Sequence, residues 1–116
     1  MNEGAEVSIP AEIDGQKVLA LGAKDVDTDN PTCITGAENI KTLNLENATN
    51  LEVIEDCAFY YCSNLEGTIE SETVEKVGEY TFYNCTSLAS VILSDAITTI
   101  PNDCFRSCPA LATVTT

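Results

Sequence analysis

A spacing of 23 residues runs through the second half of the chain. Three stretches align without gaps: IEDCAFYYCSNL (54–65), VGEYTFYNCTSL (77–88) and IPNDCFRSCPAL (100–111). The alignment places Ile54, Val77 and Ile100 in one column and Phe59, Phe82 and Phe105 in a second. Cys62, Cys85 and Cys108 make a third, and Leu65, Leu88 and Leu111 a fourth. A fixed period of about 20–50 residues marks a repeat architecture. Each unit is too small to close a core alone, so its apolar columns are buried only against the units beside it.

The columns predict the inside of one unit. In LASVIL (88–93), Leu88, Val91 and Leu93 point inward while Ser90, Ile92 and Ser94 point outward, which is a short strand. One strand per unit, stacked, makes a parallel sheet with strands about 4.8 Å apart. Phe82 and Cys85, three apart in GEYTFYNCTS (78–87), fit one helical or 3₁₀ turn with both side chains inward.

Earlier in the chain the pattern is looser. Val7 and Ile9 alternate around Ser8, predicting a short half-buried strand ended by Pro10, and Asp14-Gly15 signals a turn. Val18 and Leu21 repeat the spacing of Val74 and Val77, and Val26 stands where later units have Phe. Residues 27–38 (DTDNPTCITGAE) break the period and read as a loop bulging from the array. Regularity returns with Ile40, Leu43 and Leu45, and NATN (47–50) adds two residues before Leu51. The whole is one domain, 1–116: a diverged first repeat with its loop (7–38), repeats at 39–64, 65–87 and 88–110, and a partial terminal strand at 111–116.

One rung conflicts with the columns. LEGTIESETV (65–74) places Thr68 and Glu70 where the next repeat has Val91 and Leu93. A carboxylate facing the core is costly. A one-residue slip at Gly67 turns Ile69 and Ser71 inward and Glu70 to water.

VGEYTFYNCTSLASVIL (77–93), with the N-terminal VSIPAEIDGQKVLALG (7–22), resembles the BspA-like leucine-rich repeats. The resemblance implies a short right-handed solenoid of the α/β repeat type, with a concave parallel β-sheet and short helical or 3₁₀ turns outside. It implies a non-catalytic protein-binding or adhesion module, secreted or on a bacterial cell surface, whose partner is a protein of a host or microbial surface. The chain departs from the family at 27–38, at Thr68 and Glu70, and in lacking the usual proline after the strands at 71 and 94. The array also stops at Thr116 without an evident polar cap, which suggests a piece of a longer protein or an edge covered by a partner. A structural spacer within a surface protein and a calcium-dependent surface module are the alternative functions.

Composition narrows the partners. Nineteen acids against five bases give a net charge of −14, which disfavours nucleic acid and anionic membrane surfaces. No apolar run has the length of a membrane span, so membrane insertion is not expected. The first residues, MNEGAEVSIP, lack the regions of a signal peptide, so either the chain is cytosolic or a leader was removed. There is no histidine, which removes the usual general base and the commonest metal ligand.

The candidate sites follow. Outward strand residues Thr42, Asn44, Glu46, Ser90, Ile92, Ser94, Thr113 and Thr115 form the expected contact face, with the 27–38 loop beside it. Asp25, Asp27 and Asp29 alternate as at the start of a calcium loop, but Asn30 and Gly36 stand where such a loop needs Gly and Glu. A solvated acidic loop is the simpler reading, and no cofactor is otherwise expected. The six cysteines invite disulfides, yet three share one inward column, and buried reduced thiols fit better than bridges, zinc or a nucleophile. Tyr60, Tyr61, Tyr80 and Tyr83 fall on the outer turns, as a partner anchor or a shield over the seam between repeats.

Overall fold

The computed structural model describes residues 5–22, 27, 29, 31–34, 36–97, 99–101 and 103–115. Among the described residues, ten short strands carry the fold: β1 (Ala5–Ser8), β2 (Glu12–Ile13), β3 (Gln16–Lys17), β4 (Ala20–Leu21), β5 (Ile40–Asn44), β6 (Val53–Ile54), β7 (Gly67–Glu70), β8 (Lys76–Val77), β9 (Leu88–Ile92) and β10 (Thr113–Thr115). Strands β2 and β3 form a hairpin over Asp14 and Gly15, whose φ values of 52° and 79° are those of a tight mirror-image turn. The other pairings of these strands are parallel: β1–β5, β7–β9–β10, and the two-residue strands β4–β6–β8.

The core is the stack of columns. Leu51, Ile54, Phe59, Cys62, Leu65, Ile69, Val74, Phe82, Cys85, Leu88 and Val91 are all but sealed from solvent. Phe59, Phe82 and Phe105 stack face to face, with centroids 5.6 and 5.4 Å apart and planes within 7°. The columns loosen in the last repeat: Ile54 is 0% exposed, Val77 3% and Ile100 41%.

The slip at Gly67 is present. Strand β7 pairs β9 with a register shift between Gly67 and Thr68, Gly67 has φ 79°, Ile69 and Ser71 are buried, and Glu70 is exposed. The extra residue lies between Leu65 and Ile69, where glycine takes a left-handed bulge at no steric cost.

The outer segments differ from the expected helical turns. Among the described residues the one 3₁₀ helix is Ala37–Asn39. The other outer segments are turns with two left-handed residues per repeat: Cys57, Tyr80 and Asp103, then Tyr61, Asn84 and Ser107, all with φ between 59° and 61°. Left-handed residues end a right-handed helix wherever they occur. The result keeps Phe and Cys inward and frees N–H groups for the neighbouring repeat: Phe59 N–H reaches Thr81 O at 2.9 Å, and Phe82 N–H reaches Cys104 O at 2.9 Å.

The same bond corrects the first repeat. Ile34 N–H donates to Ala58 O at 3.0 Å, and Ala37 N–H closes back on Ile34 O as Cys62 N–H does on Phe59 O. Ile34 and Ala37 therefore fill the Phe and Cys places of the first unit. Val26, expected there, lies outside the described residues. The end of the 27–38 segment is thus not a free loop: Ala37 is buried, and Cys33 and Ile34 pack on the core.

Where the family has proline after a strand, this chain has serine. Ser71 Oγ accepts the N–H groups of Thr73 and Val74, both at 3.2 Å, and Ser94 Oγ accepts Ala96 N–H at 3.0 Å. Each hydroxyl fixes the turn by hydrogen bonding instead of by a locked φ.

Candidate functional site

Parallel pairing in register carries side chains of one strand onto the same face as their partners. The ladder aligns Thr68, Ser90 and Thr113 in one row and Glu70, Ile92 and Thr115 in the next. On the other half, Glu6 aligns with Thr42 and Ser8 with Asn44. Of the expected residues, Ser90, Ile92 and Thr115 thus belong to the sheet β7–β9–β10, where Thr113 holds the register position of Ser90, and Thr42 and Asn44 belong to the separate sheet β1–β5. Thr42, Ser90 and Ile92 are half-buried, while Asn44 and Thr115 are exposed. Thr68 and Ser90 hydroxyls bond at 2.8 Å across the row.

Not all the expected residues are free to recognise a partner. Asn44 Oδ1 accepts Glu46 N–H at 2.8 Å, and Ser94 Oγ holds its own turn. Both are turn formers first. The ladder adds Glu6, Ser8, Thr68 and Glu70 to the face. The last two follow from the Gly67 slip; the first two needed the pairing of β1 with β5, which the segment's isolated Val-x-Ile alternation does not specify.

The face is not one continuous sheet. Strands β5 and β7 belong to separate sheets, and between them lies a cleft of about 730 Å³. Residues 42–46 line one wall and Thr68, Glu70 and Glu72 the other. Among the described residues the ion pairs are Lys41–Glu66 (3.7 Å) and Arg106–Asp103 (3.3 Å), so Glu46, Glu70 and Glu72 have no cationic partner there.

Asp29 N–H donates to Asp27 Oδ1 at 2.9 Å, both residues are exposed, and Asp25 lies outside the described residues. Among the described residues no group of three or more His, Cys, Asp or Glu side chains converges as a metal would require.

All six cysteines are free thiols. Cys85 Sγ donates to Phe59 O at 3.2 Å and Cys108 Sγ to Phe82 O at 2.9 Å, each reaching one repeat back. Burial pushes the Cys62 thiol up, and Cys104 to about 12. For Cys85, the contact with the Cys108 thiol and burial both favour the protonated form. Cys57 and Cys104, outside the repeated column, are buried as well. The buried thiols Cys57, Cys62, Cys85 and Cys104 are inert packing groups, poor as nucleophiles. Half-buried Cys108 differs, its contact with the Cys85 thiol lowering it to about 7.

The four tyrosines cluster on the outer turns. Tyr60 stacks on Tyr83 at 5.2 Å and lies 4.7 Å from Tyr61, while Tyr80 meets Tyr83 edge-on at 5.6 Å. Tyr61 is half exposed and the rest are more covered, so the cluster lies over the seam between two repeats.

Comparisons with known proteins agree with this geometry. The family described as BspA type leucine rich repeat region (6 copies) matches residues 30–116. Among solved structures, a leucine-rich-repeat protein of T. pallidum superposes with a TM-score of 0.59 at 21% identity, over 97% of this chain and 58% of that one. The chain thus spans a little over half the length of that protein, and at this identity the likeness speaks for the fold alone. The comparison with curated proteins finds no match. The repeat columns and the extent of the family match together establish that this chain belongs to the BspA-type leucine-rich-repeat family.

Proposed function

We propose that the chain is a non-catalytic protein-binding module of a secreted or surface-exposed bacterial protein, acting in adhesion to host or microbial proteins. Its contact surface is the outward strand face, read as the concave side of a right-handed solenoid. The observation that supports this is the pair of in-register rows, Thr68–Ser90–Thr113 and Glu70–Ile92–Thr115. Such rows present one regular surface on a scaffold whose core the repeats themselves fix. Modules of this family are in general scaffolds for protein–protein contact. Among the described residues no helix is long and apolar enough to cross a membrane.

The test is adhesion of beads coated with the chain to immobilised extracellular-matrix and bacterial surface proteins. Ser90→Arg with Ile92→Arg crowds the strand face, while Tyr61→Arg changes the outer turn. Adhesion abolished by the first and kept by the second supports the reading. Equal adhesion by both variants, or none by the parent chain, defeats it.

A further inference from the structure

The cleft between β5 and β7 is a place where the sheet is missing a set of its own bonds. In three strand pairs the residue just past one strand donates its N–H to the facing strand: Ile9 N–H to Asn44 O (3.1 Å), Ser71 N–H to Ile92 O (2.9 Å) and Leu93 N–H to Thr115 O (2.8 Å). By register Glu70, Ile92 and Thr115 are equivalent positions, and the alignment of IKTLNL (40–45) with LASVIL (88–93) places Asn44 with Ile92. The matching bond between β5 and β7 would run from Leu45 N–H to Glu70 O, and it is not formed. The pair starts correctly, with Glu66 N–H on Lys41 O at 2.8 Å, as Ala112 N–H sits on Ala89 O at 2.8 Å. The ladder then stops, and a further hydrogen bond crosses where Thr73 Oγ1 donates to Ala48 O at 3.3 Å.

The sequence explains the parting. The bulge at Gly67 sets β7 in register with β9, and the two extra residues at 47–50 lengthen the repeat at 39–64 just past β5. Alternation along a strand turns the backbone groups of Leu43 and Leu45 toward β7, and those of Thr68 and Glu70 toward β5. Two strand edges thus face a common opening with main-chain groups not paired across it, the Leu45 carbonyl alone being taken by Ala48 N–H at 3.1 Å. Unpaired edges of this kind take up an added strand.

We infer that this cleft binds an extended peptide segment rich in lysine or arginine, which joins the sheet between β5 and β7. This deepens the protein-binding reading above and rests on it. The backbone edges hold any extended chain, and the side chains select its charge. Glu46, Glu70 and Glu72 border the opening, and among the described residues they have no cationic partner and no lysine or arginine lines the walls. At about 730 Å³ the opening is within the range of ligand sites, roughly 300–1,000 Å³.

The experiment uses the full chain and a fluorescent, end-blocked octapeptide of alternating lysine and threonine, read by anisotropy at low and moderate salt. Two further peptides are compared: one with glutamate for lysine, and one with every second amide N-methylated, which keeps the charge and removes strand pairing. The lysine peptide is expected to bind, the glutamate peptide not, and the N-methylated peptide on the order of tenfold more weakly. Glu70→Gln with Glu72→Gln weakens the lysine peptide by a similar factor, whereas Glu75→Gln with Glu79→Gln, away from the cleft walls, leaves it unchanged. Circular dichroism verifies that both variants fold. Equal binding of the N-methylated peptide, or equal loss in the two variant pairs, means general attraction to an acidic protein and overturns the inference. If the peptide fails to bind while Ser90→Arg with Ile92→Arg still abolishes adhesion, this inference falls and the broader reading stands. If the peptide binds and adhesion is absent, the broader reading falls alone.

Discussion

The Asp56 carboxylate accepts the N–H of Glu79 at 2.8 Å, one repeat further along, and Gly78 packs flat against the Asp56 backbone beside that bond. A methyl group at Gly78 would overlap the backbone of Asp56, coming within 2.6 Å of its Cα. Neither neighbour can move without disturbing a repeat-to-repeat bond. Gly78→Ala is expected to lower stability by about 1–3 kcal/mol or more through overpacking. Asp56→Ala, which loses one half-exposed acceptor, costs about 1 kcal/mol. Urea denaturation followed by circular dichroism ranks the two, and a Gly78→Ala protein as stable as the parent would contradict the packing.

Phe82 is the middle ring of the stack, fully buried with a ring on each face. Phe82→Ala is expected to cost about 3–5 kcal/mol, since a buried aromatic leaves a cavity that both neighbours border. Phe105 has a stacking partner on one side and is half-buried, so Phe105→Ala costs less. The same denaturation series checks the order; equal costs would show that the rings do not act as a stack.

Ser107 is exposed and holds φ at 60°. Glycine reaches that conformation without steric penalty. Ser107→Gly is expected to be neutral to stabilising by up to about 1 kcal/mol, and Ser107→Val to be destabilising. Thermal melts of the two variants should move in opposite directions from each other.

The buried thiols predict a pH dependence. Cys62, Cys85 and Cys104 all hold their protons more tightly in the fold than the ordinary thiol value of 9.0. Below that value the thiols are neutral in both states, and the fold has its full stability. Above it the unfolded chain releases protons first, so stability falls as pH rises. Cys108 works the other way: its contact with the Cys85 thiol lowers it to about 7, so it adds stability as pH rises from about 7 to 9, and the melting temperature is expected to drop only beyond about pH 9. Cys104→Ala shallows the slope; an unchanged slope argues against the burial assigned to that thiol.

Exposure orders thiol reactivity. Cys33 and Cys108 are half-buried, while Cys57, Cys62, Cys85 and Cys104 are closed off. Brief alkylation of the native protein followed by peptide mass spectrometry should label Cys33 and Cys108 first. In denaturant all six should react, since all are free. Fewer than six would point to a bridge.

The repeat was legible because its columns demand one chemistry each: a Phe–Cys–Leu series at 23 residues has no other economical reading. The slip at Gly67 was legible for a similar reason, since Glu70 has no place in a core. The turn conformation was not. Phe82 and Cys85, three apart, fit a 3₁₀ turn and a left-handed turn equally, and of the left-handed residues in these turns few are at home there by type, Asn84 foremost. Ile34 was hidden by the irregular spacing before it and is identified by its bond to Ala58, a partner no local pattern names. The acidic cleft was hidden more deeply still. It depends on a bond not formed between Leu45 and Glu70, and a sequence spells out residues, not missing pairings.

The serine that replaces proline after β7 has a further consequence. Proline fixes its turn by covalent geometry alone, whereas Ser71 does so through hydrogen bonds to Thr73 and Val74, and Thr73 in turn reaches Ala48 across the cleft. The far end of the opening is therefore latched by exchangeable protons, while β4, β6 and β8 bind the same repeats along a separate seam. The arrangement is that of a book with a sewn spine and an unglued fore-edge. Widening its far end releases the hydroxyl contact at Thr73, while Glu66 N–H on Lys41 O still ties the near end.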